Sequence, residues 1–211
     1  MIQSRLSILM AERGLKISDI YEETGISKTT LMAISENTGK GVQFDTVDKL
    51  CNFLGVTPCE FFEYSPYLIN YKMINSEKNK DALKSFDITI KNQNYEKDFY
   101  IDIHVYSGDS YNIPVKTGDF DWYLSVQLKS SDHYTDSEFF DFVDNLSISF
   151  RTEFINRLIT GVKNQLIGIF SIDAEIETIE REQVSLKKND YIALKLFENS
   201  KFETLKKFYI K

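Results

Sequence analysis

Apolar residues recur at helical spacing through the first third of the chain, and this period predicts a series of short helices. The first helix is expected over residues 2–13, where four apolar side chains share one stripe: Ile2, Leu6, Leu9 and Met10. Ser18 is expected to cap a second helix in the stretch SDIYEETG. Gly25 is expected to end that helix, because glycine readily adopts the left-handed conformation that a tight turn requires.

A third helix is predicted directly after this turn, with Ser27 as its cap. Its period places Leu31 and Ile34 on the inner side, facing a small core. Four other side chains are then left on the outside of the helix: Lys28, Thr29, Met32 and Ala33. The period alone leaves open whether this outer face contacts a partner or only solvent.

Two more helices complete the N-terminal part of the predicted fold. The fourth, in FDTVDKLCNFLG, is expected to end at Gly55 and to bury one face: Phe44, Val47, Leu50, Cys51 and Leu54. The fifth, in PCEFFEY, is capped by Thr57 and begins with Pro58, a residue suited to the first helical position. Five short helices thus predict a compact all-α domain over residues 1–65.

The remainder of the chain shows a different period. Residues 66–83 are polar without a clear repeat and are predicted to form a linker. After them, apolar and polar residues alternate in three successive runs, SFDITIK, DFYIDIHVY and WYLSVQLK, as in strands with one buried face. Two further strands are expected in DAEIETIE and YIALKLF.

A long helical stretch lies between these two groups of strands. Thr135 and Glu138 form a capping box at its start, and a break is expected near residues 147–149 or at Gly161. Residues 84–211 are therefore predicted to form an α+β domain, in which one or two long helices cover an antiparallel sheet.

Composition and charge restrict the classes of function. The 211 residues carry a formal net charge of −7, which argues weakly against nucleic-acid binding because phosphates attract basic surfaces. No apolar run is long enough for a membrane span, and the first residues do not resemble a signal peptide. A cytoplasmic protein without membrane contact is expected.

Candidate chemistry is sparse. Cys51 and Cys59 lack the spacing typical of a metal site and are expected to be buried free thiols. The sequence has no HExxH, P-loop or GxSxG motif. We therefore expect a protein that is not an enzyme, with no catalytic residue, no metal and no cofactor.

Four stretches of residues 1–65 together carry a resemblance to a known family. In chain order they are ERGLKISDI, TGISKTTL, VQFDTVDKLCNFLG and LGVTPCEFFEY. They resemble the lambda-repressor-like helix-turn-helix domain of Cro or XRE type. Tyr21 departs from the pattern, because the family usually has a small residue there, where the second helix packs on the third. The resemblance covers under a third of the chain and does not extend to residues 84–211.

The resemblance implies that the third helix enters the major groove of double-stranded DNA. Five residues on this helix have chemistry suited to base edges or to the thymine methyl group: Lys28, Thr29, Thr30, Met32 and Ala33. Five others are expected to contact phosphates: Lys16, Ser18, Ser27, Lys40 and Gln43. For Ser18 and Ser27, a purely structural role as helix caps is an equal alternative.

These residues favour a sequence-specific transcriptional regulator, expected to be a repressor of phage or mobile-element type. Because few basic residues lie near the DNA backbone, a homodimer on an inverted-repeat operator is expected. Either residues 84–211 or Phe61 and Phe62 would supply the dimer contact. The alternative is an anti-CRISPR-like inhibitor, in which the acidic and aromatic residues 84–211 bind a protein target and the N-terminal domain represses its own promoter.

Aromatic residues gather near the stretch SGDSYNIPVKTGDFDWY of the second domain. They are Tyr100, Tyr106, Tyr111, Trp122 and Tyr123. Such a group can line a ligand pocket or a protein contact, or simply pack within the sheet.

Overall fold

The chain folds into two compact units, Met1–Pro66 and Tyr67–Lys211. The computed structural model describes residues 1–73, 83, 85–110, 113 and 120–211. In the described residues, the first unit is helical apart from a short two-stranded sheet, and the second is built on a six-stranded sheet.

The first unit consists of short helices joined by tight turns. Its elements are β1 (Ile2–Ser4), α1 (Leu6–Arg13), α2 (Ile17–Thr24), α3 (Lys28–Ser35), α4 (Phe44–Leu54), α5 (Pro58–Phe61) and β2 (Phe62–Tyr64). Gly55 ends α4, as predicted. At α5 the Thr57 N–H donates to the Glu60 carboxylate at 2.7 Å, and the Glu60 N–H donates to the Thr57 hydroxyl at 3.3 Å. This reciprocal capping box fixes the start of the last helix.

The core of the first unit receives a side chain from every one of these helices. Its buried members are Leu6, Leu9, Ile20, Leu31, Val47, Leu50, Cys51, Leu54 and Phe61. Because α2 and α3 each insert one fully buried side chain, Ile20 and Leu31, neither helix can move without opening the core.

The two strands of this unit correct the predicted helix boundaries. Residues 2–4 were expected to be helical, but β1 pairs antiparallel with β2, which itself replaces the end of the predicted fifth helix. Asn37 explains the extended backbone at β1. Its side-chain oxygen accepts from the Ser4 N–H at 2.7 Å, and its amide nitrogen donates to the Ser4 carbonyl at 3.2 Å. These partners lie far along the chain, so local periodicity does not reveal them.

Two side chains of the first unit are not buried as predicted. Phe44 shares a helical stripe with Val47 and Cys51, but it is the first residue of α4 and is 93% exposed. Its side chain therefore faces solvent, while Val47 in the same turn is buried. Cys59 is also exposed, so the expectation of two buried thiols holds only for Cys51.

Within the described residues, the second unit is a mixed sheet with two helices. Its elements are β3 (Leu68–Met73), β4 (Phe86–Lys91), β5 (Glu96–Ser107), β6 (Trp122–Leu128), α6 (Asp136–Asn145), α7 (Ile148–Ser171), β7 (Glu175–Glu177), β8 (Gln183–Ser185), β9 (Tyr191–Leu196) and β10 (Thr204–Tyr209). The strand order is β10-β9-β6-β5-β4-β3, and β7 pairs with β8 in a separate hairpin.

One strand pair departs from the antiparallel sheet that was predicted. All neighbours in the six-stranded sheet are antiparallel except β6 and β9, which run parallel with Leu124 opposite Leu194. The chain between them passes through α6 and α7, and a connection of that length allows it to return in the same direction.

The predicted linker also needs correction. Residues 68–73, within the segment 66–83, form β3, which pairs with β4 along its full length. Residues 74–82 lie outside the described residues. The linker prediction is therefore wrong for β3, in which Ile69, Tyr71 and Met73 alternate with Asn70 and Lys72 over a run too short to stand out from its polar neighbours.

The capping box and one of the two expected helix breaks are confirmed. The Glu138 N–H donates to the Thr135 hydroxyl at the start of α6, and the chain breaks between α6 and α7 at residues 146–147. The break at Gly161 is wrong, because α7 continues through that residue. A side chain there would meet the Phe86 ring at 2.8 Å, so glycine lets the helix approach the sheet closely.

Aromatic contacts between the helices and one face of the sheet form the core of the second unit. The ring centres of Phe99 in β5 and Phe139 in α6 are 5.3 Å apart, and those of Tyr71 in β3 and Phe154 in α7 are 6.0 Å apart. On the other face, Tyr123 is fully buried and contacts the rings of Tyr106 and Phe120. Tyr111, expected in the same aromatic group, lies outside the described residues.

Candidate nucleic-acid interface

A tight turn between α2 and α3 sets the geometry of the candidate interface. Gly25 has φ +68° and donates its N–H to the Tyr21 carbonyl at 2.9 Å. The next N–H, that of Ile26, donates to the Thr24 hydroxyl at 3.3 Å. With the buried Ile20 and Leu31 behind it, this turn holds the outer side of α3 in a fixed position relative to α2.

The outer side of α3 presents a row of polar and flexible side chains. Lys28, Thr29 and Thr30 are exposed, and Met32 is 49% exposed. Ala33 is only partly exposed, so less of its surface is open to a partner. The structure brings all five predicted base-reading residues onto one short helix, whose inner side is closed by Leu31.

The start of α3 is capped by Ser27, as predicted. Its hydroxyl oxygen accepts from the Thr30 N–H at 3.1 Å and lies 2.9 Å from the Thr30 hydroxyl. Ser27 therefore has a structural role in any case, and a phosphate contact would be additional to it.

The start of α2 differs from the prediction. The helix begins at Ile17 after Lys16, so Ser18 lies inside the first turn and is not the cap. Asp19 takes the capping role, since its carboxylate accepts from the Lys16 N–H at 2.8 Å. The Ser18 hydroxyl donates to the other oxygen of the same carboxylate at 3.1 Å. The Lys16 side chain is exposed, whereas Ser18 is half-buried.

A groove of about 440 Å³ lies between α3 and the start of α4. Thr30 lines one side and Gln43, the residue that precedes α4, lines the other. Lys40 is exposed in the loop that joins the two helices. The predicted phosphate-binding residues Lys40 and Gln43 therefore follow directly on the C-terminal side of the exposed face of α3.

Sequence reasoning assigned no role in DNA binding to Tyr21. The Lys28 ammonium nitrogen lies 5.3 Å from the centre of the Tyr21 ring, and the ring is 44% exposed. The seven-residue separation across the turn gives no simple signal of this contact, because it depends on how α2 and α3 cross.

The part of the chain that the structure describes lacks the features of two other kinds of site. No group of three or more His, Cys, Asp or Glu side chains is placed to hold a metal ion. No helix has both the length and the apolar character that crossing a membrane requires.

Comparison with known families supports the resemblance seen in the sequence. Residues 5–67 match the model of the Cro/C1-type helix-turn-helix DNA-binding domain, and the region after them matches no family model. Neither a curated protein nor a solved structure matches the chain. The N-terminal unit is a helix-turn-helix domain of this type, which confirms the family predicted from its motifs.

Proposed function

We propose that this protein is a transcriptional regulator that recognises a specific DNA operator through α3. The observation that carries the proposal is the exposed row on α3 within a domain matched as Cro/C1-type. In helix-turn-helix proteins the second helix of the motif lies in the major groove while the first crosses the backbone. In this protein α3 would enter the groove and α2 would lie against the phosphates.

The side chains of α3 suit the donor and acceptor pattern of the major groove. The Lys28 ammonium group donates to guanine O6 and N7, and the hydroxyls of Thr29 and Thr30 both donate and accept. Met32 offers an apolar surface to a thymine methyl group, as does the exposed part of Ala33. A site that contains guanine and thymine in adjacent positions is therefore expected.

The proposed phosphate contacts flank this helix. Lys16 and Lys40 each offer an exposed ammonium group, and the N–H groups at the starts of α3 and α4 follow Ser27 and Gln43. With a formal net charge of −7, the protein has little general attraction for DNA. We propose that a homodimer on an inverted repeat supplies the missing affinity, with half-sites about one helical turn apart.

A repressor role follows from this arrangement if the operator overlaps a promoter, because bound protein would then exclude RNA polymerase. A phage or other mobile element would be a natural setting for such a regulator. The second unit would serve dimerisation in this scheme.

The experiment is selection of binding sites by the full-length protein from random double-stranded DNA. An inverted repeat should be enriched, and a Lys28→Ala, Thr29→Ala double variant should lose selectivity while its thermal unfolding stays unchanged. Lys188→Ala removes the same charge from an exposed lysine in the other unit and should leave the selected motif intact. A wild-type protein that enriches no motif would overturn the proposal.

A further inference from the structure

We propose that Tyr21 is a positioning residue that sets the DNA specificity of this protein by holding Lys28. This inference rests on the proposed function and adds Tyr21 to the residues that are proposed to determine DNA binding. It starts from one contact, in which the Lys28 ammonium nitrogen lies 5.3 Å from the centre of the Tyr21 ring.

The contact joins two helices whose relative position is fixed. Tyr21 belongs to α2 and Lys28 is the first residue of α3. The fully buried Ile20 and Leu31 lock the two helices together through the core. The backbone that carries the ring is therefore fixed relative to the start of α3.

A lysine ammonium within about 6 Å of a ring centre is attracted by the negative face of the ring. Lysine carries its charge on a flexible four-carbon stem, which samples many rotamers when nothing restrains it. The ring of Tyr21 limits that freedom and keeps the ammonium group at the N-terminal end of α3. Restraining a group before binding removes part of the entropic cost of binding.

The effect should appear at one position of the operator. Lys28, the first residue of α3, is proposed to contact the base pair beneath the start of this helix, so loss of the ring should weaken the preference at that base pair and leave the other positions unchanged. An exposed cation–π contact corresponds to a change of about two- to fivefold in an equilibrium constant. A direct contact between the Tyr21 hydroxyl and a phosphate would instead alter the affinity for all sequences equally.

Two variants separate these roles in the full-length protein. Tyr21→Phe keeps the ring and removes the hydroxyl, and should retain the wild-type motif. Tyr21→Leu removes the ring, and should reduce the preference at the Lys28 base pair by about two- to fivefold. Because Tyr21 is 44% exposed, both variants should fold, and equal melting temperatures would check this.

A double-mutant cycle with Lys28→Met tests whether Tyr21 acts through Lys28. Tyr21→Leu should change specificity when Lys28 is present and have no effect when it is absent. An equal effect in both backgrounds would overturn the inference, and so would a Tyr21→Phe variant that loses affinity for every sequence alike.

Nuclear magnetic resonance of the free protein tests the contact without DNA. The ε-methylene protons of Lys28 should be shifted upfield by the ring, and the shift should persist in Tyr21→Phe and vanish in Tyr21→Leu. If the wild-type protein selects a motif that Tyr21→Leu does not alter, this inference fails and the proposed function stands. If the wild-type protein selects no motif, both fail, whatever the resonance shift.

Discussion

Phe44 and Leu50 lie on the same helix but in opposite environments, since Leu50 is fully buried and Phe44 is almost fully exposed. Leu50→Ala should lower the free energy of unfolding of the first unit by about 2–5 kcal/mol, because it leaves a cavity. Phe44→Ser should change it by less than about 0.5 kcal/mol. Urea denaturation followed by circular dichroism measures both. A large loss in Phe44→Ser would show that something covers this side chain in solution.

Tyr123 makes the stability of the second unit sensitive to alkaline pH. Burial raises the pKa of its phenol, and the nearby Glu198 and Glu203 carboxylates raise it further. Its buried hydroxyl lies near the Glu198 carboxylate but makes no hydrogen bond of normal geometry within the described residues. The folded protein thus keeps this proton above about pH 10, where the unfolded chain loses it, so the free energy of unfolding falls as the pH rises further.

The Tyr123→Phe variant tests this titration. It should flatten the alkaline fall in stability, which for one such group reaches roughly 1.4 kcal/mol per pH unit. Below pH 9 the variant should be about as stable as wild type, because a buried hydroxyl without a well-formed hydrogen bond contributes little that is favourable. Chemical denaturation at a series of pH values gives the curve. Identical alkaline slopes in the two proteins would mean that the hydroxyl reaches solvent.

Among the elements, α7 contains two glycines with opposite expected effects. Alanine favours a helix over glycine by about 0.5–1 kcal/mol, and Gly168 has open space around it, so Gly168→Ala should stabilise the protein by that amount. At Gly161 the new methyl group would lie 2.8 Å from the Phe86 ring, so Gly161→Ala should destabilise by about 1–3 kcal/mol. Melting temperatures compare the pair, and stabilisation of both variants would mean that α7 does not pack closely on β4.

Ser27, at the start of α3, has two roles that substitutions can separate: it caps the helix, and it is proposed to contact a phosphate. Ser27→Ala removes the cap and should cost about 1 kcal/mol, whereas Ser27→Asp keeps a capping oxygen and should preserve stability. The aspartate would repel a nearby phosphate, so Ser27→Asp should weaken operator binding even though it folds normally. If it binds DNA as tightly as wild type, Ser27 serves only as a cap.

Most elements defined by local chemistry could be predicted, and those defined by distant partners could not. The exceptions are the start of α2, where Asp19 and not Ser18 provides the cap, and the short strand β3. The caps at Ser27, Thr57 and Thr135 and the stop at Gly55 each depend on residues within one helical turn. Strands β1 and β2 depend instead on pairing between the two ends of the first unit and on Asn37. The same reason applies to the candidate site. The helical period predicts which residues lie on the outer side of α3, but the contact between Lys28 and Tyr21 depends on how α2 and α3 cross, which the period does not show.

For the molecule as a whole, the small number of basic residues proposed to contact DNA limits how steeply the binding constant falls as the salt concentration rises. Two lysines, Lys16 and Lys40, are proposed to contact phosphates in each protomer, whereas Lys28 is assigned to a base. The slope of log K against log salt concentration should then be on the order of −2 per protomer. Lys40→Ala should reduce it by about one, and Lys188→Ala should leave it unchanged. A much steeper wild-type slope would indicate further basic contacts.

The division into a helical N-terminal region and a sheet-rich remainder follows from the change of period near residue 85, but the strand order does not. Periodicity shows that a segment is a strand and which side is apolar, yet it carries no information about which strand lies beside it. The parallel neighbour of β6 could not be inferred for that reason, since β9 arrives only after two helices.

The position of β9 between β6 and β10 has a consequence for synthesis of the protein. The strand that covers one edge of β6 leaves the ribosome only after α6 and α7, so until then that edge, with Leu124 and Val126, has no neighbour on one side. Bare apolar edges of this kind associate with other chains. A nonsense mutation ahead of β9 should therefore yield insoluble aggregates, and nascent chains at this stage would be natural clients of chaperones.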